Sequence, residues 1–238
     1  MRAGPVTSNL TSTPGDVDRP PPNTLREELG RTGIMAILRY RQGGDVAGAI
    51  EAVAAGGVTV LEVTVETPGA WEAISGATGR TDLIIGGGTV TEVAEVEQLA
   101  ALGARFVVSP GFDERIVAAA LDLGLDPLPG VASASEVLAA RRAGSQLFKL
   151  FPAGALGVRY LAEMRGPFNN ECFVPTGGIS INGLGEWLRA GAVAVAIGSD
   201  LTGTQTPRDL ATANAVTERA SRAVAAARSA LEERAERA

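Results

Sequence analysis

The chain has 238 residues, a net charge of −6, 45% hydrophobic residues and 20% charged residues, a size for one large domain or two small ones and an ordinary globular composition. The acidic balance argues against a nucleic-acid or anionic-membrane partner, and no apolar run approaches the roughly 20 residues that span a bilayer. Cys172 is the single cysteine and there is no histidine, which excludes an intrachain disulfide, a thiolate or imidazole metal site, and Ser-His-Asp or Cys-His catalysis.

In chain order, residues 1–24 read as a disordered arm ending in Pro20-Pro21-Pro22. The arm lacks the continuous apolar core of a secretory signal, and the compartment reads as cytoplasmic. From residue 25 short apolar β-rich runs alternate with Ala-, Leu- and Glu-rich stretches. The expected strands are Ile34–Leu38, Val58–Val65, Leu83–Gly86, Phe106–Ser109, Asp126–Leu128, Leu147–Phe151, Cys172–Pro175 and Val193–Ile197. Several are continuous apolar runs, as parallel strands covered on both faces should be.

Thr67-Pro68 and Thr206-Pro207 are expected helix starts, a capping hydroxyl before Pro at the first helical position. Thr89 with Glu92, and Ser133 with Glu136, have capping-box spacing. Ala55-Gly56, Leu102-Gly103, Leu123-Gly124, Ala143-Gly144 and Ala190-Gly191 are expected helix ends. Eight evenly spaced βα units predict a single-domain (β/α)8 barrel over residues 25–207, with a doubly wound open sheet as the alternative. Residues 208–238 read as the last helix, continuing into a solvated extension.

In such a barrel, chemistry gathers where strands end. With no imidazole available, near-neutral proton transfer must come from a tuned Lys, Glu, Asp, Tyr or Cys. The chain has 20 arginines and one lysine, Lys149, set in the apolar run Gln146-Leu147-Phe148-Lys149-Leu150-Phe151-Pro152. An apolar interior disfavours the ammonium and lowers its pKa. The free amine can then attack a carbonyl and form a Schiff base, an electron sink for carbon–carbon cleavage. Glu62, in Val60-Leu61-Glu62-Val63-Thr64-Val65, is a carboxylate that needs a partner or a purpose. It could shuttle protons beside the lysine; the alternative is a structural salt bridge between the two. Strand alternation would put Glu62, Thr64 and Glu66 on one face. Gly177, Gly178 and Ser199, after the last two strands, suit a phosphate cradle, although tight turns also use Gly-Gly. Cys172 reads as a small buried hydrophobe.

These residues resemble the 2-keto-3-deoxy-6-phosphogluconate (KDPG) and 4-hydroxy-2-oxoglutarate (KHG) aldolase family. The resemblance runs from about Gly33 to Gly203. It is carried by Gly33-Ile34-Met35-Ala36-Ile37-Leu38-Arg39, Leu61-Glu62-Val63-Thr64, Gly87-Gly88-Thr89-Val90, Ser109-Pro110-Gly111, Phe148-Lys149-Leu150-Phe151-Pro152-Ala153, Pro175-Thr176-Gly177-Gly178-Ile179 and Gly198-Ser199. It implies a class I aldolase on a (β/α)8 barrel that uses no cofactor or metal and works in the cytoplasm as a homotrimer. Lys149 would be the Schiff-base lysine and Glu62 the general acid–base. Thr89, Pro110, Phe151 and Thr176 would surround the pyruvyl group, and Gly177, Gly178 and Ser199 the phosphate. Arg39 would contact an anionic end of the substrate. The substrate would be 2-dehydro-3-deoxy-6-phosphogluconate or its galactonate epimer, cleaved to pyruvate and glyceraldehyde 3-phosphate. A 4-hydroxy-2-oxoglutarate aldolase, another phosphate-binding barrel enzyme and a non-catalytic phosphate-binding barrel are the alternatives. One position departs: some members carry Arg four residues after the strand 2 glutamate, where this chain has Glu66.

Overall fold

The computed structural model describes residues 24–237. The expected N-terminal arm, apart from Thr24, lies outside the described residues. The chain runs α1 (Thr24–Thr32), β1 (Ile34–Leu38), α2 (Val46–Ala55), β2 (Val60–Thr64), α3 (Ala70–Ala77), β3 (Ile84–Gly88), α4 (Val93–Ala101), β4 (Phe106–Val108), α5 (Glu114–Asp122), β5 (Asp126–Leu128), β6 (Gly130–Val131) and α6 (Ala134–Arg142). It continues with β7 (Leu147–Leu150), α7 (Ala153–Leu156), α8 (Val158–Met164), β8 (Cys172–Pro175), α9 (Leu184–Arg189), β9 (Val195–Ile197), α10 (Ser199–Thr202) and α11 (Leu210–Glu236). No helix among the described residues is long and apolar enough to cross a membrane.

All strand pairs are parallel and fall into two arcs, β5-β4-β3-β2-β1-β9 and β6-β7-β8. The arcs meet at both ends. Pro129 alone separates β5 from β6; proline has no N–H to give a ladder, while its carbonyl still accepts from Lys149 N at 2.9 Å. At the other seam Thr176 bridges Ala196 in parallel register. The expected fifth strand is thus β5 plus β6, and the ring is the expected eight-stranded barrel.

The period-2 alternation of the strands sorts the core into two layers. Met35, Ile37, Val60, Ile84, Phe106, Val108, Leu128, Leu147, Val174 and Ala196 pack together inside the ring. Leu25 and Leu29 of α1 join that inner cluster and are fully buried. The alternate residues, such as Ile34, Ala36, Leu38, Leu61 and Val63, pack outward with the helices. Glu62 stands two residues after Val60 and Lys149 two after Leu147, so parity turns both toward the interior. Cys172 is half-buried and packs against the same inner cluster.

Several local expectations are corrected. Thr67 and Thr206 do not cap helices. Gly69 in the left-handed conformation precedes α3, and Asp209 caps α11 by accepting from Thr212 N at 2.8 Å. Thr67 Oγ1 instead accepts from Tyr40 N at 3.1 Å and hydrogen-bonds Thr64 Oγ1 at 3.0 Å. The box before α4 is Glu92 with Glu95, not Thr89 with Glu92; Glu95 accepts from Thr91 N and Glu92 N at 2.8 and 3.1 Å. Of the Ser133–Glu136 box only the forward half forms: Glu136 N donates to Ser133 Oγ at 3.3 Å, while Glu136 Oε2 accepts from Ala132 N and Ser133 Oγ, both at 2.8 Å, and not from Ser133 N. β3 runs past the expected end at Gly86 and takes in Gly87 and Gly88. α11 is the expected last helix, and Val216, Ala220, Ala223, Ala227 and Ala230 bury a stripe along it. Arg234, near its end, donates to the Leu188 and Ala192 carbonyls at 3.2 and 2.7 Å.

Candidate active site

A cavity of about 950 Å³ opens at the rim formed by the C-terminal strand ends, the size of a small-molecule site. Every site residue expected from the sequence lines it: Arg39, Glu62, Thr89, Pro110, Lys149, Phe151, Thr176, Gly177, Gly178 and Ser199. They come from seven of the eight strand units, far apart in sequence, and only the closed ring brings them together.

Lys149 is 3% exposed and lies in register with Gly130 on one side and Val174 on the other. Burial pulls its ammonium pKa below the ordinary lysine value; Glu62 opposes that shift and Arg39 adds to it. Its Nζ stands 5.2 Å from the centroid of the Phe151 ring, within cation–π range.

Glu62 is fully buried and paired in register with Gly86. Burial raises its carboxyl pKa, against the opposing charges of Lys149 and Arg39. Neither of its side-chain oxygens has a hydrogen-bond partner, so the structural salt bridge with Lys149 is not formed. Gly88 makes room for it: an added Cβ there would fall 1.8 Å from Glu62 Oε1 and 2.4 Å from Cδ. Burial pushes the carboxyl and the amine each toward its neutral form, the direction that a nucleophilic amine with a neighbouring proton carrier requires.

Around this pair, Thr176 is buried and donates to the Val174 carbonyl at 3.0 Å. Pro110 follows β4 in a turn where Ser109 Oγ donates to the Gly111 carbonyl at 2.7 Å. Arg39 Nη2 donates to Thr89 Oγ1 at 2.7 Å. Gly177 has φ +89°, and a Cβ there would sit 3.0 Å from Phe151 Cε2, so glycine is needed for conformation and space alike. The Thr176–Ala196 bridge sets the Gly177-Gly178 turn beside Ser199 at the head of α10.

Two expectations about β2 change. The strand ends at Thr64, so alternation does not carry on to Glu66. Thr64 is buried against Thr67 and does not line the cavity, whereas Glu66 is exposed and borders it. Arg41, Ser180, Asp200 and Gln205 also line the cavity but were not expected. Arg41 was legible as a second arginine just past a strand end. Asp200 is placed by accepting from Ile181 N at 2.7 Å, a tertiary contact without a sequence signal.

A family model described as KDPG and KHG aldolase matches residues 25–217. The 2-dehydro-3-deoxy-phosphogluconate aldolase of Treponema pallidum is 38% identical over 167 residues, covering 69% of this chain and 80% of that protein. The 2-dehydro-3-deoxy-6-phosphogalactonate aldolase of Escherichia coli is 32% identical over 173 residues, covering 71% of this chain and 83% of its own length. Among solved structures, a KDPG aldolase from Legionella pneumophila, with pyruvate captured as a covalent carbinolamine intermediate, superposes with a TM-score of 0.72 at 30% identity. That match covers 82% of this chain and 96% of the other.

Proposed function

The chain belongs to the KDPG and KHG aldolase family, and from that premise we propose that it is a class I aldolase. It cleaves 2-dehydro-3-deoxy-6-phosphogluconate, or the galactonate epimer, reversibly to pyruvate and glyceraldehyde 3-phosphate. The observation that carries this reading is the buried Lys149 beside a buried carboxyl with no hydrogen-bond partner.

Neutral Lys149 Nζ adds to the C2 carbonyl and forms a carbinolamine. Loss of water gives the imine, with Glu62 moving the protons. Removal of the C4 hydroxyl proton breaks the C3–C4 bond. The bonding electrons flow into the iminium, and the aldehyde leaves. The enamine takes a proton at C3, and water releases pyruvate and restores the amine. Thr89, Pro110, Phe151 and Thr176 enclose the pyruvyl group, and Arg39 faces its anionic end. Gly177, Gly178 and Ser199 receive the phosphoryl group through backbone N–H groups and a hydroxyl. Residues 25–207 act as the barrel unit, closed by the helix in 208–238. The enzyme works in the cytoplasm as a homotrimer.

Pyruvate with borohydride should fix one covalent adduct on Lys149, seen by intact mass and peptide mapping and absent from Lys149→Met. A folded wild-type protein with no adduct at any pyruvate concentration would leave a non-catalytic phosphate-binding barrel. The matching family spans phosphorylated and unphosphorylated substrates, so the two are compared directly. The phosphorylated acid should have the higher kcat/KM, and Ser199→Asp should erase that preference. Equal efficiency would favour 4-hydroxy-2-oxoglutarate.

A further inference from the structure

Gly177 and Gly178 both hold positive φ, at +89° and +73°, in the turn that follows β8. On one side this turn is tied to the start of α7: Ala153 N donates to the Thr176 carbonyl at 2.9 Å, and Gly154 N to the Gly177 carbonyl at 2.8 Å. The N–H groups of Gly178, Ile179 and Ser180 have no partner among the described residues, and all three residues line the cavity. Successive free N–H groups in a turn make a concavity that binds anions.

The next N–H in the row is taken. Ile181 N donates to Asp200 Oδ2 at 2.7 Å, a bond from the turn after β8 to α10. Asp200 is exposed, lines the cavity one residue after Ser199, and makes no ion pair among the described residues. A bare carboxylate beside an anion site opposes the ligand, so its place there needs a compensating role. The helix that carries it is fixed from behind. Buried Tyr40 donates to the Thr202 carbonyl at 3.2 Å, Thr202 Oγ1 to the Ile37 carbonyl at 3.0 Å, and Arg219 Nε to the Leu201 carbonyl at 2.8 Å. α10 is thus a post fastened to β1 and α11, and Asp200 reaches from it to the turn.

We propose that Asp200 is a positioning residue: its bond to Ile181 N holds the turn after β8 so that the free N–H groups of Gly178 and Ile179 close with the Ser199 hydroxyl on one phosphoryl group. Asp200 acts as a hydrogen-bond acceptor and not through its charge. A turn ordered before the substrate arrives loses no freedom on binding, so the effect falls on affinity rather than on turnover. This inference rests on the reading of a phosphorylated aldolase substrate and deepens it with a residue that touches no substrate atom.

The test compares Asp200→Ala, which removes the acceptor, with Asp200→Asn, which keeps an acceptor oxygen and removes the charge. The side chain is exposed, and circular dichroism checks folding. Asp200→Ala should raise KM for the phosphorylated acid about tenfold, the worth of a charge-assisted hydrogen bond, with kcat held within about twofold. Inhibition by inorganic phosphate should weaken by a similar factor. The dephosphorylated acid and borohydride trapping of pyruvate, neither of which uses the turn, should change less than about twofold. Asp200→Asn should bind the phosphorylated acid as well as wild type or better. An alanine variant with unchanged or lower KM would show that Asp200 only repels the anion. An asparagine variant as poor as alanine, or equal losses on both acids, would also overturn the assignment. A wild-type enzyme that neither prefers the phosphorylated acid nor is inhibited by phosphate would instead overturn the phosphoryl site itself. A wild-type preference that survives in Asp200→Ala overturns this inference alone.

Discussion

Glu62→Met should stabilise the protein while removing its activity. The wild-type carboxyl is fully buried, with both oxygens unpartnered. A buried polar atom without a partner costs about 1–3 kcal/mol. At the lower end the two oxygens together cost about 2 kcal/mol, and methionine keeps the length of the side chain without them. For a chain of this size that gain corresponds to roughly 4–8 °C in Tm. Lys149 loses its neighbour, but burial already lowers its pKa, so it can answer by releasing its proton.

The sign of the pH dependence follows from the raised carboxyl pKa of folded Glu62. In the window from its ordinary value of 4.5 up to the folded value, the native state binds more protons than the unfolded chain. Wild-type stability therefore falls as pH rises through that window, and the loss stays constant above it. The variant escapes this loss. Its advantage should be smallest below pH 4.5 and widen upward, read by thermal unfolding across a pH series. Turnover should drop about 100-fold or more, the scale of general acid–base catalysis. A variant less stable than wild type at neutral pH, or an advantage flat with pH, would refute the reasoning.

Three further outcomes are expected. Gly88→Ala should lower kcat by about 100-fold with a native circular dichroism spectrum, because its Cβ would take the place of Glu62 Oε1; an active alanine variant would show that Glu62 works from elsewhere. Glu66→Gln should change the pyruvate affinity measured by trapping less than tenfold, under about 1.4 kcal/mol, since Glu66 is exposed at the cavity edge. Ser133→Ala removes the acceptor for Glu136 N; it should cost about 1 kcal/mol, lower Tm by roughly 2–4 °C and leave kcat unchanged.

Most of the barrel was legible because its signals are local. Apolar runs such as Ile34–Leu38 and Cys172–Pro175 form strands with those bounds. The Gly after Ala143 or Leu123 marks a helix end because it relieves a left-handed turn. Thr67 is a good cap by type, yet its hydroxyl oxygen accepts from Tyr40 N, a contact from another part of the chain. There a local propensity lost to a tertiary hydrogen bond. Thr206 precedes α11 by more than a cap position, and Asp209 accepts from Thr212 N in its place. Gly87 and Gly88 fell beyond the expected strand, and glycine does disfavour strands. The glycines of β3 are tolerated because Phe106, Leu99 and Glu62 occupy the space a Cβ would need.

The sequence by itself determined which groups are available for chemistry. The absence of histidine leaves Lys, Glu, Asp, Tyr and Cys, and a lone lysine in an apolar run with a glutamate in another apolar run single out an amine and a carboxyl among them. Alternation and spacing sufficed for this, because side-chain direction in a strand follows from residue parity. Tertiary structure alone decided how those groups meet. Closure of the ring through Pro129 and the Thr176–Ala196 bridge gathers residues from 37 to 205 around one cavity. It leaves Glu62 without a hydrogen bond, links Arg39 to Thr89 across the end of β2, and turns Glu66 out to the edge. Proton affinities and the orientation of a hydroxyl depend on burial and on neighbours distant in sequence, and no local pattern encodes them.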